Sequence, residues 1–283
     1  MIRVLGIDVD DVVLDRWREW FAPPVQPFIV DEGLRAQLGR PPTMARPAME
    51  VCDTFELYGD ETLGRLVGLT RSDFDALPHA LRARLVRHQH IAGRRLVPAL
   101  RGMPSGRHTR LRPDSDGHRF VWWPDTVSAF GDGPVLDFVG RESLASRHGE
   151  VGAAVWRRAA AVLPGARDLA GTFAAGSGPN CFGTVMAAAG VVGAQDDWMQ
   201  RAPFEEWLGS STAPGGHDLS PGTVLVWRDP SGVAHHAAVT LGAGWALHKP
   251  SQGWMTPRVV LSVDEVKRAA RRQGTRVTRR HIA

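Results

Sequence analysis

The stretch SGPNCFGTVMAAAG, residues 177–190, holds Cys181, one of two cysteines among 283 residues. A thiol attacks only as the thiolate, and two surroundings favour that form: a helix N-terminus and a neighbouring imidazolium. Gly178 and Pro179 close a loop, and the small apolar run that follows predicts a helix beginning at Cys181. The unpaired N–H groups of its first turn would face an oxyanion formed at the sulfur. The competing reading is a small buried hydrophobe. Imidazoles come from HHAAVTLGAGWALHKP, residues 235–250. His235 and His236 are neighbours on a predicted strand, so they point to opposite faces. A hairpin centred on residues 242–244 brings His236 beside His248, 12 positions further on. Ala237, Val239 and Leu241 would pack the face away from His236. Thiol, base and a group that orients the base form the pattern of covalent acyl transfer.

The remaining chemistry-bearing residues read more plainly. Cys52, in MEVCDTF, has no such context and reads as core. Asp8, Asp10 and Asp11 suit the start of a helix rather than a metal site. His79, His88 and His90 come with no cysteine or carboxylate at ligand spacing, and His118 and His148 are isolated, so no metal and no cofactor is expected. Trp122, Trp123 and Trp227 read as core or cleft lining.

These groups need elements to position them. Residues 1–105 read as a mostly helical region of unknown role, with helices opened by Asp or Ser. Residues 106–148 read as a linker and a β-hairpin, its strands being RFVWWP and GPVLDFVG. From 149 to 283 the pattern runs helices first (EVGAAVWRRAAAVLPGA, CFGTVMAAAGVVGA and QDDWMQRAPFEEWLG, the last interrupted at Pro203). Then come the strands TVLVWRD, HHAAVTLG, GWALHKP and RVVLSV, and a short terminal strand. That is an α+β layout with an antiparallel sheet packed on helices.

Hydrophobic residues make up 43% and charged residues 23%, an ordinary globular balance. The net charge is +4, Lys249 and Lys267 are the only lysines, and the arginines read as spread along the chain apart from VKRAARRQGTRVTRR near the end. Nucleic acid is not an expected partner. Acidic residues interrupt the N-terminus where a signal peptide needs an apolar core, and no apolar run is long enough for a bilayer. A cytoplasmic location without membrane contact is expected, and two cysteines suit a reducing compartment.

The C-terminal segments resemble the NlpC-type cell-wall endopeptidases, a branch of the papain-like cysteine peptidase superfamily. There an Asp–Cys–Ser–Gly motif opens a helix, a Pro–Gly–Asp turn leads into an apolar strand, and a His–Val–Gly–Ile–Tyr–Leu–Gly strand carries the base. A second histidine sits on the next strand. Here the same order stands as Asn180–Cys181–Phe182–Gly183, PGTVLVW (221–227), His236 to Gly242, and His248. The likeness covers roughly residues 150–260. It implies a papain-like catalytic domain over 149–283, with Cys181 as nucleophile, His236 as general base (His235 if the register slips by one) and His248 orienting it. It further implies an amidase or peptidase acting on small wall-derived peptides or on another amide or thioester. With an amine as acceptor, the same thioester would serve an acyltransferase of natural-product assembly. A binding protein that kept the fold without activity is the third possibility. Asn180 replaces the family's acid, Phe182 its serine, and Phe173 the tyrosine of the glycine-rich loop, since the only tyrosine is Tyr58. Asn180, Phe173 and Phe182 are therefore candidates for the substrate and oxyanion side of the site. Lys249, Gln252 and Trp254, just past His248, are candidates for holding a substrate carboxylate. Residues 1–105 are free for a protein partner.

Overall fold

The computed structural model describes residues 1–282. Its first ten residues form a hairpin, β1 (Ile2–Val4) paired antiparallel with β2 (Ile7–Val9). Any side chain at Gly6 would lie 2.6 Å from the carbonyl of Ser146, whose N–H donates to Leu5 O at 2.8 Å. This hairpin forms one unit with Phe138–Ala283, and Asp11–Asp137 forms the other.

The Asp11–Asp137 unit begins with α1 (Asp11–Phe21), which buries Leu14, Trp17 and Phe21 at helical spacing. β3 (Val25–Ile29) follows, then α2 (Glu32–Gln37), α3 (Met49–Phe55) and α4 (Asp60–Gly64). β4 (Leu66–Thr70) returns to pair antiparallel with β3. A capping box of Thr70 and Asp73 starts α5 (Arg71–Ala76). Next are α6 (His79–Ile91), α7 (His108–Leu111) and α8 (Pro124–Phe130). Phe28, Val67, Phe74, Leu85 and Trp123 share its core, with Phe28 and Phe74 stacked at 5.9 Å. Gln89 of α6 acts as a strand partner: its Oε1 accepts from Ile29 N and its Nε2 donates to Ile29 O, each at 2.8 Å.

The predicted hairpin of residues 106–148 is not there. Residues 119–123 run extended but make only single bridges, Ala99 to Arg119 and Ser115 to Phe120. GPVLDFVG is a helix, α9 (Gly133–Gly140), and the boundary between the units, after Asp137, falls inside it. Val135, Phe138 and Val139 are its buried residues, a spacing of three and four that marks a helix face. A short apolar run does not distinguish the two periods in sequence. The segment before 105, expected to be mostly helical, also carries two two-stranded sheets, β1–β2 and β3–β4.

The second unit continues with α10 (Ala153–Ala160), α11 (Ala166–Leu169), α12 (Cys181–Ala188) and α13 (Arg201–Ser211). Pro203 does not interrupt α13; it sits in the first turn, where its missing N–H costs nothing. The strands are β5 (Thr212–Pro214), β6 (Pro221–Arg228), β7 (Ala234–Gly242), β8 (Trp245–His248) and β9 (Val259–Ser262), then α14 (Val263–Ala269) and β10 (Arg276–Ile282). They form one antiparallel sheet in the order β5-β10-β6-β7-β8-β9. Alternation along the strands makes two cores. Val224, Val226, Ala237, Val239, Leu241, Leu247 and Val260 pack with residues of α10, α12 and α13. Leu225, Trp227, Ala238, Ala246, Val259 and Leu261 pack with Val263 and Val266 of α14. The fold is α+β. Among the described residues no helix is long and apolar enough to cross a membrane.

Candidate active site

The start of α12 is built around Asn180. Its Oδ1 accepts from Gly183 N at 3.0 Å, its backbone carbonyl takes Thr184 N at 3.0 Å, and its Nδ2 donates to Met199 O at 2.8 Å. Asn180 is thus an N-cap, with one side-chain N–H committed to Met199 O. All eight residues of α12 are buried, and Gly183 must be glycine because a side chain there would collide with the carbonyl of Ala194. Phe182 stacks on Phe204 at 4.3 Å, so its ring is core and does not face a substrate. Phe173 is half-buried in the loop ahead of the helix.

Cys181 is the first residue of α12 and only 8% exposed. Gly183 and Thr184 N–H are taken by Asn180, which leaves those of Cys181 and Phe182 beside the sulfur, together with the N–H of Ala237 from β7. Burial dominates and pushes the thiol up to about 11; these amides, then the charge of Lys249, pull the other way. At neutral pH the group is a thiol, not the thiolate that a helix start suggests.

The hairpin of β7 and β8 joins the two imidazoles. His236 Nε2 and His248 Nδ1 are 3.1 Å apart, with the rings nearly perpendicular. Trp227, the cross-strand partner of His236 on β6, sets its ring edge against it at 5.3 Å. Burial first, then His248 and Arg272, hold His236 well below the usual imidazole range. Burial alone lowers His248 to about 4. Both are neutral at pH 7. His248 Nε2 is buried without a partner among the described residues. When His236 Nε2–H donates to His248, Nδ1 of His236 carries a free lone pair and can act as a base.

His235 is held away from this pair. Its Nε2 lies 2.8 Å from Asp229 Oδ2 at the β6–β7 turn, where bonds from Ser231 and His235 also depress the Asp229 carboxyl. The register therefore assigns His236, not His235, to His248.

No hydrogen bond joins Cys181 to His236 among the described residues. Ala237, Val239 and Leu241, expected to face away from His236, belong to the same core cluster as Cys181. His236 faces Trp227, on the side of Ala238 and Ala246. Its hydrogen bond goes to His248, and Cys181 is not among the groups that shift it. The sulfur meets β7 at the amide one residue beyond the imidazole.

The loop after His248 is a brace. The Lys249 ammonium is fully buried and donates to Ser251 O (2.7 Å), Gly253 O (2.9 Å) and Thr256 Oγ1 (3.1 Å). Three donors meet three acceptors, so Lys249 does not hold a substrate carboxylate. Trp254 is fully buried against Phe138. Gln252 O accepts from Gly178 N at 2.9 Å, and Trp254 N donates to Ser177 Oγ at 3.2 Å. The brace fixes the glycine-rich loop from which Cys181 emerges. Sequence reasoning left Trp227 as core or cleft lining; its pairing with His236 follows from the DPSG turn joining β6 to β7. Ser177, Thr256 and Arg272 carried no sequence signal. Among the described residues no group of His, Cys, Asp or Glu is placed to hold a metal ion.

No protein-family model matches the chain, and neither curated proteins nor solved structures give a match. The NlpC-type resemblance rests on the residues quoted for it.

Proposed function

We propose that Cys181 is the nucleophile of an acyl transfer, and that the chain is a cysteine hydrolase of papain-like type acting on an amide or thioester of a small peptide in a reducing, cytoplasmic setting. One observation carries this: a protonated thiol sits on backbone N–H groups one residue along β7 from a hydrogen-bonded imidazole pair. His236 Nδ1 takes the sulfur's proton as sulfur attacks the carbonyl carbon. The N–H groups of Cys181 and Phe182 receive the oxyanion, and His236 returns the proton to the leaving amine or thiol. Water then attacks the thioester with His236 as base and releases the acid; an amine in its place gives an amide. His248 holds the ring of His236. Since thiol and imidazole are not bonded at rest, substrate entry has to bring them together.

A second reading is favoured by that same gap and by the raised thiol: a binding protein that keeps the constellation without using it. Incubation with a p-nitrophenyl acyl ester, followed by intact-protein and peptide mass spectrometry, separates the two. Transient acylation of Cys181 that persists in His236→Ala supports catalysis. No adduct on Cys181 at any substrate concentration supports the binding protein.

A further inference from the structure

Arginine is not spread evenly along the chain. Residues 79–119 hold ten arginines and no lysine against two aspartates, a formal charge of +8 in a chain of +4. Both aspartates are already engaged. Asp114 is buried and accepts from Arg71 at 2.7 Å and Thr126 at 3.3 Å. Asp116 Oδ1 accepts the N–H groups of His118 (2.8 Å) and Arg119 (2.7 Å), and its Oδ2 lies 3.6 Å from Arg87. With carboxylates outside the segment, Arg82 pairs with Asp75 and Arg95 with Glu56, whereas Arg84, Arg101, Arg107, Arg110 and Arg112 have no carboxylate partner among the described residues.

Part of this positive charge gathers at a cleft of about 580 Å³ in the Asp11–Asp137 unit, lined by Arg101, Arg112, Arg119, His79, His108 and His118, with the engaged carboxylate of Asp116 also on its wall. Two of these walls are fixed: Arg119 Nη1 donates to Val97 O at 3.0 Å, and His108 Nε2 lies 2.9 Å from Met103 O. Arg101 and Arg112 are exposed and have no acidic partner among the described residues. Ala99 and Leu100 add an apolar wall.

We infer that this cleft binds an organic phosphate of nucleotide size, its phosphate groups held by Arg101 and Arg112. A guanidinium meets a phosphate with two parallel hydrogen bonds, which a lysine does not do. The volume lies in the small-ligand range of about 300–1,000 Å³, well beyond one inorganic phosphate. The apolar wall and the imidazole rings suit the organic part. The site is independent of the reaction proposed for Cys181.

Calorimetric titration of the full chain with ADP, and separately with inorganic pyrophosphate, tests it. One-site binding is expected, tighter for ADP. Arg101→Ser with Arg112→Ser loosens ADP by about tenfold or more, whereas Arg110→Ser, outside the lining, does not. Arg101→Lys with Arg112→Lys keeps the charge and loosens ADP by about threefold, which decides the matter if the serine pair does not fold. Absence of saturable ADP binding overturns the inference, as does an affinity unchanged in both double variants. Duplex DNA that binds more tightly than ADP and displaces it also overturns it, in favour of a nucleic-acid surface.

Discussion

Two short helices each bury a cysteine, and they treat it differently. In α3, Cys52 is the fourth residue and its sulfur faces the carbonyl of Pro47 at 3.6 Å. Burial raises that thiol; Arg46 opposes, and the charges of Asp53 and Glu50 raise it further. In α12, Cys181 is the first residue and its sulfur faces N–H groups. Burial raises this thiol too. A negative charge at Cys52 would meet the Arg46 guanidinium but also a carbonyl and two carboxylates, whereas at Cys181 it would meet only donors and the charge of Lys249. Acidity at rest does not distinguish the two cysteines. The sign of the dipoles awaiting the charge does.

The largest expected effect tests that contrast directly. Cys181→Ala abolishes acylation by the ester, while Cys52→Ala leaves its rate within about twofold, as expected of a cysteine with no part in the reaction. An adduct mapped to Cys52 would break the comparison. Next in size, His236→Ala slows acylation by about 10²- to 10⁴-fold, the usual contribution of a general base. Stopped-flow release of p-nitrophenol measures it, and an unchanged rate removes His236 from the reaction.

Smaller effects fall on stability. His236 and His248 are both lowered in the folded state, so below pH about 6.5 the unfolded chain binds protons that the folded one refuses. Stability is therefore full above that pH and falls as the pH drops towards 4. His248 alone, lowered to about 4, accounts for about 3 kcal/mol of the loss. Urea melts of the wild type and His248→Gln at several pH values check this, the variant showing a shallower acid limb. Lys249→Met removes three charge-assisted hydrogen bonds from the buried loop and costs about 3 kcal/mol. Its thermal melt should fall well below that of Lys267→Met, whose ion pair with Asp218 is part-exposed. Smallest is Asn180→Ala, at about 1 kcal/mol for the lost cap. The corresponding residue of α3, Ala48, makes no such bond, so α3 sets the reference for an uncapped start.

Much of the frame around Cys181 was legible from local pattern. The strands from β6 to β9, the helix beginning at the cysteine and the meeting of His236 with His248 across a glycine turn all follow from period and turn chemistry. The residues around them were read less well. Lys249, Phe182 and Asn180 carry types that suit a substrate, yet each is engaged by a partner distant in sequence or buried in a loop, and no periodicity announces such partners. The alternation of β7 was read correctly, but not its consequence: the face turned from His236 is the one that shares a core cluster with Cys181. The apolar run of α9 fits both periods and was read as the wrong one.

The glutamine that pairs with β3 has a consequence for how copies of the chain meet. A two-stranded sheet has backbone edges able to recruit a strand from another molecule. At Ile29 both backbone groups are held by Gln89, so an incoming strand finds no donor or acceptor there and would have to displace a buried side chain first. A helix thus closes the edge against self-association at that residue, without a third strand.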